Sequence, residues 1–159
     1  MGQEGNPQVK DCKMANIRTL NKLIIIGTST GGPKALQQVI SGLPAEINAA
    51  ILVVQHMPAG FTKVLAERLD SVSQLKVKEA EQGDEVLPGW VYIAPGDYHM
   101  NLVVGKKGRG KALYINLDQS PPIKGLRPAL DVLLESAADK FWAPIICVIM
   151  TGMGHDGAA

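Results

Sequence analysis

Short apolar runs alternate with amphipathic segments along most of this chain. Apolar runs of strand length predict buried strands at residues 23–26, 50–55 and 145–150. Apolar side chains recur at helical spacing over residues 33–42, 61–69 and about 128–140. Apolar strands that are joined by helices are typical of a parallel sheet covered on both faces. The pattern therefore predicts an α/β fold: a doubly wound, largely parallel sheet with helices on both faces.

The middle of the chain has a different pattern. Short strand-like runs lie at residues 74–79, 90–94, 100–104 and 112–117, and turn signals separate them. A basic, glycine-rich stretch at residues 105–111 is typical of a solvated hairpin turn. We expect these runs to form an antiparallel edge region, with antiparallel or mixed strands at one end of the sheet.

The two ends of the chain suggest where the domain lies. Residues 1–21 are polar and lack sustained periodicity, so we expect a tail or linker there and a domain over residues 22–159. The last residues form a glycine-rich turn that resembles the entry to a further helix, so the domain looks truncated at its C-terminus. We expect one sheet face to be poorly covered, Asp156 to be poorly anchored, and activity to be weakened or compensated by self-association.

Composition and charge exclude several classes of protein. With 159 residues, of which 46% are hydrophobic, the chain suits one compact domain. Sixteen Lys and Arg against fifteen Asp and Glu give a net charge of +1, which provides no bulk attraction for nucleic acid or anionic membranes. No apolar run approaches the roughly 20 residues of a membrane helix, and no apolar leader is visible. Cys12 and Cys147 form no disulfide framework. We expect a cytoplasmic protein without membrane insertion.

The first predicted strand leads into a loop that suits a nucleophile. Residues 27–31 read G-x-S-x-G between a strand and a helix, which is the context of a nucleophile elbow with Ser29 at its tip. The helix start supplies N–H donors and a positive dipole end for a developing oxyanion. The same features suit a phosphate-binding loop, although neither the dinucleotide fingerprint nor the Walker A pattern is present. The loop alone leaves both interpretations open.

A base and an acid follow two other predicted strands. His56 comes directly after the strand at 50–55, and Asp156 comes after the strand at 145–150. Because parallel strands end at one sheet edge, both should lie near Ser29. Taken alone, Asp156 is more simply a helix cap. His99 is more simply a solvated or locally hydrogen-bonded loop histidine, and the side chain of His155 should diverge from that of Asp156. Together, the three strand exits favour a Ser-His-Asp set.

Four motifs in this chain resemble one enzyme family. They are GTSTGGP at 27–33, VQHMP at 54–58 with GFT at 60–62, APGDYH at 94–99, and TGMGHDGA at 151–158. Their order resembles that of the catalytic domain of the CheB chemotaxis methylesterases, and the order Ser, His, Asp differs from that of the α/β-hydrolases. The resemblance implies a protein-glutamate methylesterase and protein-glutamine deamidase that acts on methylated bacterial chemoreceptors through an acyl-enzyme. No metal or organic cofactor is implied.

The resemblance also implies roles for particular residues. Ser29 matches the nucleophile, His56 the general base and Asp156 the orienting acid, while backbone N–H groups near Thr30 and Met153 match the oxyanion donors. In a further stretch the family's His and Ser are replaced by Leu126 and Ala129, but Arg127 remains. We expect Arg127 to bind an acidic receptor segment, with an ordinary surface ion pair as the alternative. The family's receiver domain has no counterpart in residues 1–21.

Two alternatives to this interpretation stay open on the sequence. One is a generic serine esterase or amidase without receptor specificity. The other is a non-catalytic nucleotide- or phosphate-binding module that uses residues 28–32 as a phosphate cradle. The second alternative lacks the acidic ribose partner expected after the second strand, where Gln55 and His56 stand instead.

Overall fold

The computed structural model describes residues 19–152 together with Asp156 and Gly157. In chain order, the elements are β1 (Leu23–Thr28), α1 (Gly32–Ser41), β2 (Ala50–Gln55), α2 (Phe61–Val72), β3 (Lys76–Glu79), β4 (Trp90–Ile93), β5 (His99–Lys107), β6 (Gly110–Asp118), α3 (Leu130–Lys140) and β7 (Ile145–Ile149).

Five of the strands form one sheet in the order β3-β4-β2-β1-β7, and every neighbouring pair in it is parallel. This confirms the predicted fold class. The predicted antiparallel region is confirmed in β5 and β6, but within the described residues these strands form a separate two-stranded sheet instead of lying at one end of the parallel one. The predicted strands at 74–79 and 90–94 correspond to β3 and β4, and they join the main sheet in parallel. A local apolar pattern predicts that a strand forms but does not specify which strand it pairs with or in which direction.

Helices α1 and α2 cover one face of the sheet. Gly31 adopts a left-handed φ of 78° just before α1, and Pro33 lies in the first turn, where its missing N–H costs nothing. The apolar residues of both helices pack against one side of the strands. The buried residues of this cluster include Leu36 and Ile40 from α1, Leu65 and Leu69 from α2, and Ile26, Ile51, Val53 and Ile93 from the sheet.

Helix α3 and the β5–β6 hairpin cover the opposite face. Their buried residues meet the alternate positions of the same strands, as expected for strands that are apolar on both faces. Leu20 joins this cluster. Other members are Leu23, Ile25, Leu52 and Tyr92 from the sheet, Met100, Leu102, Leu113 and Ile115 from the hairpin, and Leu130 and Leu133 from α3.

Strand β7 is less well covered than the other strands. It pairs with β1 on one side and lies at the edge of the sheet in the part of the chain that the structure describes. Ile146 and Ile149 remain 45% and 57% exposed. Among the described residues, β7 is therefore an edge strand with exposed apolar side chains, and the expectation that one sheet face is poorly covered stays a prediction. Within residues 19–152, no helix combines the length and apolar character needed to cross a bilayer.

Candidate active site

The carboxyl ends of β1, β2 and β7 lie side by side, with Thr28 opposite Gln55 and Gly27 opposite Ile149. Each strand is followed by one of the predicted site residues. Ser29, His56 and Asp156 all line one cavity of about 70 Å³. The structure thus brings the three predicted side chains together. The cavity is small compared with the roughly 300–1,000 Å³ of sites for drug-sized ligands, so it suits the end of a side chain.

His56 and Asp156 form a direct pair. The distance from His56 Nε2 to Asp156 Oδ2 is 2.7 Å, and the two side chains are 16% and 6% exposed. An ionised carboxylate can only accept, so Nε2 carries the proton in this hydrogen bond and Nδ1 is left with a free lone pair. Among the described residues, no hydrogen bond joins the Ser29 hydroxyl to His56. Such bonds are often long in substrate-free enzymes.

Backbone groups at the start of α3 hold the Asp156 carboxylate. Leu130 N donates to Oδ2 at 2.5 Å, and Asp131 N donates to Oδ1 at 2.9 Å. In return, Gly157 N donates to the Asp131 carboxylate at 2.9 Å. The first N–H groups of a helix have no partners within the helix, so an aspartate is a natural cap for them. Asp156 therefore does cap a helix, although it is the preceding α3, and the expectation of a poorly anchored Asp156 is wrong for its carboxylate.

These contacts set the charge state of Asp156. Burial acts to raise the pKa of this carboxyl, but the hydrogen bonds from His56 and from the amides of Leu130 and Asp131 outweigh burial and hold the pKa below its usual range. The carboxylate is therefore ionised at neutral pH, as an acid that orients a histidine must be.

Hydrogen bonds join the loop after β1 to the end of β7. Ser29 N donates to Thr151 O at 2.9 Å, and the Thr151 hydroxyl donates to Thr30 O at 2.9 Å. These contacts join the loop to the exit of β7. The N–H of Thr30 has no backbone acceptor within the described residues, as an oxyanion donor requires. Met153, the other predicted donor, lies outside the described residues, as does His155.

Most of the chain matches the model of one known protein family. The model of the CheB methylesterase family matches residues 24–159. The chain belongs to this family.

The CheB relatives agree in sequence and in structure. A protein-glutamate methylesterase/protein-glutamine glutaminase of Syntrophomonas wolfei is 66% identical over 142 residues, and that of Thermotoga maritima is 50% identical over 151 residues. These matches cover 89% and 95% of this chain, but the chain spans only 40% and 43% of the curated relatives.

The crystal structure of the Thermotoga maritima CheB methylesterase catalytic domain has a TM-score of 0.79 at 54% identity, and the match covers 86% of this chain and 70% of that one. The names of these CheB relatives describe hydrolases of glutamate esters and glutamine amides. They agree with the methylesterase interpretation and not with the phosphate-binding alternative.

The Arg127 side chain of this CheB domain forms an ion pair with Asp97. Its Nε and Nη2 donate to Asp97 Oδ1 at 3.1 and 2.5 Å, and its Nη1 donates to the carbonyls of Gln119 and Ser120. Arg127 also lines a second cavity beside the first, and His56 lies on the wall of both. The geometry thus contains the surface ion pair that was the alternative interpretation of Arg127.

His99 lies apart from the cavity of this CheB domain. It is 1% exposed, its Nδ1 accepts from Ala129 N at 3.3 Å, and its Nε2 lies 3.1 Å from Pro121 O. These partners require the proton on Nε2. His99 is therefore a locally hydrogen-bonded histidine, as expected, but it is buried at the start of β5 rather than solvated in a loop.

Sequence reasoning missed the buried polar groups beneath the CheB site. Thr28 and Gln55 are 4% and 2% exposed, and the Thr28 hydroxyl donates to the Gln55 amide oxygen. Gln55 Nε2 donates to Ser29 O at 2.9 Å. Asp131, which receives the amide of Gly157, was also missed. For Thr28 and Gln55, the sequence offered one signal: each is a polar residue at the end of an apolar strand, β1 or β2.

Proposed function

We propose that this chain is the catalytic part of a protein-glutamate methylesterase and protein-glutamine deamidase that acts in the cytoplasm on methylated chemoreceptors. The observation that supports this most is the His56–Asp156 pair at 2.7 Å, which lines one cavity with Ser29 just before α1. The names of the relatives support the same reaction. Ser29 would be the nucleophile, His56 the general base and Asp156 the acid that orients it.

The first half of the reaction forms an acyl-enzyme. Ser29 Oγ attacks the side-chain carbonyl carbon of a methyl-glutamyl residue, and His56 Nδ1 takes the hydroxyl proton. Asp156 stabilises the imidazolium that results. The tetrahedral intermediate collapses, the bond to the methoxy oxygen breaks, and His56 returns its proton to the departing methanol. With a glutaminyl substrate, the leaving group is ammonia.

The second half releases the product. A water molecule gives a proton to His56 and attacks the acyl carbon, and the ester bond to Ser29 then breaks as His56 returns the proton to Ser29 Oγ. One water is consumed, and one glutamate is formed with one methanol or ammonia. The N–H of Thr30 would stabilise the oxyanion in both halves, and Met153 would supply a second donor.

The substrate is a side chain on a polypeptide, since the cavity of about 70 Å³ suits a small group. We propose that Arg127, on the adjacent rim, binds an acidic part of the receptor while Asp97 holds it in place. The curated relatives are longer than this chain, which is compatible with a receiver domain that regulates the site in the longer protein.

Methanol release from methylated chemoreceptor membranes tests this proposal. We expect the chain to release methanol and Ser29→Ala to lower the rate by about 10³-fold or more, because the variant lacks the hydroxyl proposed to form the acyl-enzyme. Ser41→Ala is the matched control, since this exposed hydroxyl bonds only to its own helix. Equal rates for the chain and Ser29→Ala would exclude Ser29 as the nucleophile, and no release from the chain would refute the proposed substrate.

A further inference from the structure

We infer that Gln55 is a positioning residue that fixes the loop carrying Ser29 relative to the loop carrying His56. The inference rests on the proposed function for its turnover assay, but a second readout below does not depend on the substrate. Nothing in the reaction requires Gln55 to touch the substrate, so its effect would act through the two residues beside it.

Gln55 stands where the two loops begin. It is the last residue of β2 and lies opposite Thr28, the last residue of β1. The backbone continues this ladder by one further bond, from His56 N to Thr28 O at 3.2 Å. Beyond this point the two segments separate, because Ser29 begins the loop before α1 and His56 begins the loop before α2. Side chains must therefore maintain the spacing of the loops where the ladder stops.

The Gln55 amide bridges both loops. Its Oε1 accepts from the Thr28 hydroxyl, and its Nε2 donates to Ser29 O at 2.9 Å. The same Nε2 lies 3.5 Å from His56 O. A carboxamide is planar and offers both a donor and acceptors, so it can hold a hydroxyl and a carbonyl at a fixed separation. One rigid, buried group thus contacts the residue before the nucleophile, the nucleophile itself and the base.

The first turn of α1 closes over this amide. A Cβ at Gly32 would lie 1.8 Å from Gln55 Oε1 and 2.6 Å from Thr28 Oγ1, so only glycine fits there. Gly32 N also donates to Ser29 O at 2.8 Å. The Ser29 carbonyl therefore receives one donor from its own helix and one from β2, and this fixes the turn that presents the Ser29 hydroxyl.

A purely structural role for Gln55 makes a different prediction. If the amide only satisfied buried polar groups, its removal would lower stability and leave the folded enzyme fully active. A positioning role lowers the reactivity of Ser29 in protein that remains folded, since a misplacement of about 1 Å in an active site can cost about 10²-fold in rate. The two roles therefore separate in kcat measured on folded protein.

The test uses the full chain with Gln55→Met, which keeps the length of the side chain but has no amide. We expect kcat for methanol release from a peptide with a γ-methyl glutamyl residue to fall by about 10- to 100-fold, with KM within about twofold. We expect the rate at which a fluorophosphonate probe labels Ser29 to fall by a similar factor. Thr28→Val should lower both rates less, and Thr28→Ser, which keeps the hydroxyl, should restore them.

Tyr92→Phe is the matched control. It removes a buried hydroxyl that bonds to Glu85 O and Leu87 N, and none of these three residues lines the cavity, so it should lower stability without changing the labelling rate. Wild-type labelling of folded Gln55→Met would overturn the inference. If the chain is labelled but releases no methanol, the proposed function fails and the labelling rates still decide the role of Gln55. If the chain is not labelled at all, both proposals fail.

Discussion

At the scale of single residues, Asp156 combines two tasks in one carboxylate. Oδ2 contacts His56 and the amide of Leu130, while Oδ1 accepts from the amide of Asp131.

The lowered pKa of Asp156 links these contacts to stability. The unfolded chain binds a proton near the ordinary aspartate pKa of about 3.9, and the folded chain binds it only at lower pH. Stability from this group is therefore present above that pH and is lost as pH falls through the folded pKa.

We expect the free energy of unfolding to differ most between the chain and Asp156→Asn at neutral pH, and this difference to shrink below about pH 4. Urea unfolding from pH 7 to pH 3 measures it. Asp139→Asn is the control, because the Asp139 side chain is 69% exposed and pairs only with its neighbour Lys140. A difference that stays constant over this range would contradict the charge-dependent role.

The Arg127–Asp97 ion pair on the rim of the site can be tested by removing either partner. Arg127→Ala removes the positive charge from the rim of the site, whereas Asp97→Ala leaves that charge free. If Arg127 binds an acidic substrate, Arg127→Ala should raise KM several-fold for an acidic methylated peptide, with kcat nearly unchanged. Asp97→Ala should raise KM less. Equal changes from both substitutions would mean that the ion pair only holds the loop.

At the scale of elements, the start of α1 depends on two adjacent glycines for different reasons. Gly31 adopts a left-handed φ of 78°, and Gly32 leaves room for the Gln55 amide. The C-terminal end of α1 has no such constraint, because Gly42 has an ordinary helical φ of −88° and an added Cβ would make only normal contacts, at 3.5 Å or more.

Alanine substitutions should therefore have opposite effects at the two ends of α1. We expect Gly32→Ala to lower stability by about 1–3 kcal/mol through overpacking and to reduce activity. We expect Gly42→Ala to raise stability by about 0.4–1 kcal/mol, because it restricts the unfolded chain. Thermal and urea unfolding measure both changes. A stable and active Gly32→Ala would show that the Gln55 amide can move without consequence.

The elements differ in how far the sequence could predict them. The apolar runs of β1, β2 and β7 and the helical spacing of α1–α3 are local signals, and they indicated the fold and the sheet edge that gathers Ser29, His56 and Asp156. The parallel pairing of β3 and β4 depends on contacts between distant residues, so local patterns missed it. The roles of Gln55 and of the α3 amides were missed because they depend on side-chain packing after folding.

At the scale of the whole molecule, β7 lies at one edge of the sheet within the described residues, and its side chains Ile146 and Ile149 are exposed. An edge strand with exposed apolar side chains is a template for pairing with another chain. We expect concentration-dependent association of the chain in sedimentation velocity, and we expect Ile146→Lys to reduce it. Val39→Lys is the control, since Val39 has a similar exposure of 38% but lies on α1. Equal association of the chain and Ile146→Lys would exclude β7 as the contact.

The cap that Asp156 provides for α3 also constrains how such a chain could lose its activity during evolution. Ser29 contributes its hydroxyl to no hydrogen bond among the described residues, so we expect its replacement to remove the proposed nucleophile and leave the fold intact. Replacement of Asp156 would remove the proposed orienting acid and also the carboxylate that accepts from the first amides of α3. Among descendants that keep the fold but lose the reaction, we therefore expect Ser29 to be substituted before Asp156, and Asp156 to be retained.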